Sequence, residues 1–138
     1  VNPTDARRAY LAVNVIFAGV ILLIMGYSGF YSPDENNYPV VCVHEKITGE
    51  PCPSCGLSHA FSLIIRGRVD EALQLNSVSL RVFLFFVLQL IMRIVFGTWN
   101  MVTDRWLKQI TWFDAVTSSA MALFAFYPFL RALWMALL

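Results

Sequence analysis

Residues 10–27 read YLAVNVIFAGVILLIMGY, eighteen positions without a charge and with one amide, Asn14. At about 1.5 Å per residue such a helix is long enough to cross the hydrocarbon of a bilayer. A backbone placed there must satisfy its own hydrogen bonds, so a spanning segment is confined to a helix or a closed barrel. Arg7 and Arg8 precede the stretch, as they would in a secretory signal. The GYSGFYSP that ends it lacks a small-x-small cleavage pattern, which makes it a retained anchor.

The rest of the chain agrees. Of its 138 residues 58% are hydrophobic and 14% charged, against about 25% charged in an average soluble domain. Eleven Phe, five Tyr and four Trp suit lipid-facing and helix-packing surfaces. The net charge of +1, without a basic stripe, argues against a nucleic-acid binder.

Two further apolar runs are expected to span. VFLFFVLQLIM is bracketed by Arg81 and Arg93, both expected to snorkel toward the interfaces, and its span covers about 77–99. The third span covers 113–138 and carries Pro128, which is expected to kink it. The connector between them holds Trp99, Trp106 and Trp112, an interfacial set. Asn14, Gln89, Asp114 and Arg131 lie in or near spans and are expected to face a partner helix or cavity.

The segment 28–76 is different. It is polar, with Gly29, Pro33, Pro39 and the run DENN, and it holds all three cysteines, Cys42, Cys52 and Cys55. Pro53 suits the first position of a helix capped by Cys52. Leu57, Ala60, Phe61, Ile64 and Ile65 then make an apolar helical face that Arg66-Gly67-Arg68 ends. The helix is too short to span, so it lies in the interface or re-enters. VDEALQL reads as a second short helix with Asp70 and Glu71 in its first turn, and Asn76-Ser77 can cap the span that follows. The expected architecture is one all-α membrane domain over 1–138. It has three spans and one or two short interfacial or re-entrant helices after a cysteine-containing loop.

CVHEKITGEPCPSCGLSHAF, followed by IIRGRVDEALQLN, resembles a bacterial membrane family known as domain-of-unknown-function family 2752. Cys42, Thr48, Gly49, Pro51, Cys52, Pro53, Cys55, Gly56, Ala60, Gly67, Ala72 and Asn76 agree with its pattern. Ser58-His59 stands where that family has Thr-Arg, and Ser77 where it has proline. The resemblance implies a small polytopic bacterial membrane protein and no known reaction.

Three chemistries are open to the thiols. Cys52-Pro-Ser-Cys55 has the spacing of a redox pair at a helix start, with Cys42 able to resolve, although redox motifs of this kind sit in a βαβ setting for which the chain has no room. Cys52, Cys55 and His59, with Cys42 or His44, would make a zinc set, although zinc sites usually show two close pairs. The third reading is a disulfide that pins the loop, most readily Cys42 with Cys52 or Cys55. His59 with Ser62 and Arg66 forms a polar stripe, solvated or hydrogen-bonded, and no catalytic residue is assigned.

The basic residues place the N-terminus in the cytoplasm and the cysteine segment outside, in a bacterial inner membrane. The functional expectation is an accessory subunit of a larger membrane complex, with other membrane subunits and lipid as partners and no cofactor. The rivals are a thiol-disulfide exchanger using Cys52 and Cys55, and a zinc-binding membrane module.

Overall fold

The computed structural model describes residues 3–34, 54–103 and 106–137. Among them are five helices and no strand: α1 Pro3–Phe30, α2 Leu57–Ile65, α3 Val69–Leu75, α4 Ser79–Val102 and α5 Leu107–Leu137. α1, α4 and α5 are long and apolar enough to cross a membrane; α4 starts at Ser79, after a turn at Ser77 and Val78. The chain is an all-α protein of multi-pass membrane type. Pro128 sits inside α5, where it cannot donate the usual bond four residues back.

Contacts divide the chain into two units. One comprises Val1–Ile24 with Leu84–Phe124, the other Met25–Phe83 with Ala125–Leu138. In the first, Arg7 donates to the Met101 carbonyl in the last turn of α4. This sets the start of α1 beside the end of α4, so the two run antiparallel. A guanidinium here satisfies a carbonyl that the helix itself leaves open, at the negative end of its dipole. Phe96 and Phe113 meet edge to face with centroids 6.1 Å apart, joining α4 to α5.

The second unit is built around the α2–α3 hairpin. Ala60 and Ala72 are fully buried and pack with Leu63, with Ile64 partly buried against them. Two facing alanines let the short helices approach closely. Gly67 ends α2 at φ 80°, with its N–H on the Ile64 carbonyl (2.9 Å) and the Arg68 N–H on the Leu63 carbonyl (2.9 Å). This is a Schellman ending, and its left-handed residue is where a glycine avoids the Cβ penalty.

The start of α2 corrects the sequence expectation. A helix beginning at Pro53 would run through 54–56, yet these residues form a turn and the helix starts at Leu57. Gly56 has φ 76°, a left-handed conformation that interrupts a right-handed helix. Cys55 therefore precedes the helix. Cys55 and His59 do not share a helical face.

Candidate functional site

Cys42 and Cys52 lie outside the described residues. Cys55 is half-buried in the turn before α2, and His59 is half-buried in the first turn of the helix. The Cys55 backbone is held from a distance in sequence. Asn76, 9% exposed, donates from Nδ2 to the Cys55 carbonyl at 3.1 Å. Its Oδ1 accepts from the Val78 N–H at 3.1 Å. Its own N–H reaches the Ala72 carbonyl and its carbonyl accepts from Ser79 N–H, both at 3.0 Å. One asparagine thus closes α3, opens α4 and fastens the cysteine turn. An amide is needed because the side chain must donate and accept at once.

The polar stripe on α2 is hydrogen-bonded. Ser62 is fully buried and donates to the Tyr31 carbonyl at 2.7 Å. Arg66 donates to the Ser62 hydroxyl and, at 3.1 Å, to the Gly29 carbonyl. Both residues occupy carbonyls at the end of α1. On the exposed side Arg68 forks onto Glu71 (2.7 Å) and Asp34 (2.9 Å). The Arg68 hydrogen bonds hold the Glu71 carboxyl below its ordinary value, and Glu71 and then Asp34 push the Arg68 guanidinium up.

A second constellation, in the other unit, corrects the expectation for Arg93. The side chain does not snorkel. It is 7% exposed and ion-paired with Asp114, which is 4% exposed. Asp114 Oδ1 accepts from Arg93 and also from Ser118 Oγ (3.0 Å), while Oδ2 accepts from the Tyr10 hydroxyl at 2.8 Å. Gln89 Oε1 lies 3.3 Å from Ser118 Oγ. Asn14 Nδ2 donates to the Tyr10 carbonyl at 2.9 Å. Asn14, Gln89 and Asp114 face inward as expected, whereas Arg131 is exposed. The network leaves capacity unused: Asn14 Oδ1, Gln89 Nε2 and Arg93 Nε are buried without a hydrogen-bond partner among the described residues.

Single-span hydropathy does not reveal this pairing, but the connector geometry does. Arg93 lies nine residues before the end of α4 and Asp114 seven after the start of α5. Their depths from the connector are about 13 and about 10 Å. Opposite charges at matched depth on consecutive spans are the signal.

Curated proteins and solved structures give no match to this chain. The model of a family described as Protein of unknown function (DUF2752) matches residues 42–90, from the first cysteine to the middle of α4.

Proposed function

We propose that this protein is an accessory or structural subunit of a larger membrane complex and carries no reaction of its own. The observation behind the reading is an inverted distribution of polarity. In the most apolar windows of α1, α4 and α5, only 11%, 22% and 11% of the residues are buried. The buried residues of these helices include Asn14, Gln89, Arg93, Asn100 and Asp114. Phe17, Trp112, Phe113 and Phe124 are exposed. Lipid tails provide no hydrophobic drive between helices, and an interhelical polar contact contributes only about 0.6–2 kcal/mol. Helices held in this way gain from further helices packed on their exposed aromatic residues.

Extraction in a mild detergent followed by native mass measurement tests the proposal. The expected result is an assembly well above the 15.7 kDa protomer. A monodisperse monomer that keeps its full thermal stability overturns it.

The location belongs to the same reading: a bacterial inner membrane, with the N-terminus and the α4–α5 connector cytoplasmic and the cysteine segment outside. Arg7, Arg8, Arg105 and Lys108 support it. In a cysteine-free background, an impermeant thiol reagent should label a cysteine introduced at Asn37 in intact cells and not one at Gln109. The opposite pattern reverses the topology.

A further inference from the structure

We infer that the network of Gln89, Arg93 and Asp114 is the floor of a docking groove for one transmembrane helix of another protein, recognised by a hydrogen-bond acceptor near the bilayer midplane. The inference rests on the subunit reading above and names the face and chemistry of the contact.

The groove has a volume of about 1210 Å³ and lies within the first unit, among residues of α1, α4 and α5. Its wall includes Ala6, Ala9, Ala115, Ser118, Ser119 and Ala120. Small residues at a membrane helix interface let a second backbone come close. A small-residue wall alone would fit an acyl chain as well. The floor decides between them. Gln89 and Arg93 both line the groove, are more than nine-tenths buried, and leave Nε2 and Nε unpaired. Both orphan atoms are donors, so the missing group is an acceptor.

Depth then restricts the source of that acceptor. α4 has 24 residues, about 36 Å of helix against about 30 Å of hydrocarbon. Gln89 lies ten residues from its start and thirteen from its end, within about 3 Å of the middle. Phospholipid ester oxygens sit at the edge of the hydrocarbon, and the core holds no water to substitute. A side-chain amide or hydroxyl carried on a helix is the group that reaches this depth. The last torsion of a glutamine is broad, so the Gln89 amide can turn its nitrogen outward to meet it. A second copy of this chain, docked groove to groove, would set one concave face against another and leave both floors short of an acceptor.

The test uses the full chain, donor-labelled, in phosphatidylcholine vesicles at low protein density. The probe is a synthetic Leu/Ala transmembrane helix with glycine at every fourth position of one face and a central glutamine. A twin peptide carries leucine at the centre. Energy transfer should show the glutamine peptide binding about threefold to tenfold more tightly than its twin, the range of one or two such contacts. Gln89→Leu, which removes one of the two orphan donors, should reduce that preference, and Leu88→Ala, on an exposed position outside the groove, should leave it intact. Ala120→Phe, which fills the groove without touching the floor network, should weaken both peptides together. No preference in the unaltered chain overturns the assignment, as does a preference that Gln89→Leu leaves undiminished. Release of a retained phospholipid by Ala120→Phe, with no peptide binding, makes the groove a lipid site and also overturns it. A native assembly of high mass without peptide preference sinks the groove and leaves the subunit reading standing. A native monomer that still prefers the glutamine peptide does the reverse.

Discussion

Replacing Asp114 by leucine isolates Arg93. The arginine sits about 13 Å from the end of α4, roughly 10 Å below the hydrocarbon edge, so its guanidinium has far to travel to reach water. It would keep a 3.0 Å bond to Ser118 Oγ and lose its only counter-charge among the described residues. Breaking a buried pair by removing one partner costs about 3–5 kcal/mol. Insertion scales place a lone arginine at a helix centre at about 2.5–3.5 kcal/mol. The remaining Ser118 bond and partial snorkelling pull toward the lower figure, so a loss of about 3 kcal/mol is expected for Asp114→Leu. Arg93→Leu should lose less, because Asp114 still accepts from Tyr10 and Ser118. Replacing both residues by leucine removes both charges and their desolvation, and should return the stability to within about 1 kcal/mol of the unaltered chain. Reversible unfolding in mixed micelles, followed by tryptophan fluorescence, measures all four corners of the cycle. If the double variant loses the sum of the two single losses, the two charges are not coupled and the reasoning is wrong.

Two further outcomes rest on the second unit and a third on the cysteine spacing. Asn76→Ala leaves the Cys55 carbonyl and the Val78 N–H without their partner and should lower stability by about 1–3 kcal/mol, with faster amide exchange at Val78 as the local readout; unchanged exchange there would remove the clamp. Glu71 has its folded pKa depressed below the ordinary 4.5 by the Arg68 hydrogen bonds, so its contribution is present above that value and lost as pH falls through the lower folded value. Thermal unfolding scanned from neutral to acid should therefore show an acid loss that Glu71→Gln reduces, and identical scans would refute it. For the thiols, we propose one disulfide, Cys42 with Cys52 or Cys55, and no bound metal. In the chain-entropy model a closed loop of about 15 residues contributes ~3 kcal/mol, and this shorter, tethered loop somewhat less. Alkylation and mass under non-reducing conditions should find one free thiol, whereas three free thiols with stoichiometric zinc would replace the staple by a metal site.

Much of the architecture was determined by sequence alone, because the terms that set it are local. Eighteen uncharged residues can meet their backbone needs in lipid without a partner strand only as a helix, and the Arg66-Gly67 ending of α2 needs no distant partner to form. The failures have a common cause as well. Gly56 was legible as a permissive residue, but its left-handed conformation, which puts the helix start past Cys55, and the bond from Asn76 to the Cys55 carbonyl, twenty-one residues apart, were not. Arg93 read by itself is a snorkelling end residue; only the apposition of α4 and α5 puts Asp114 in reach and makes burial cheaper than a path to the interface. Hydropathy records how well a residue suits lipid, one position at a time. A buried ion pair is a property of two positions, so the tertiary structure decided it.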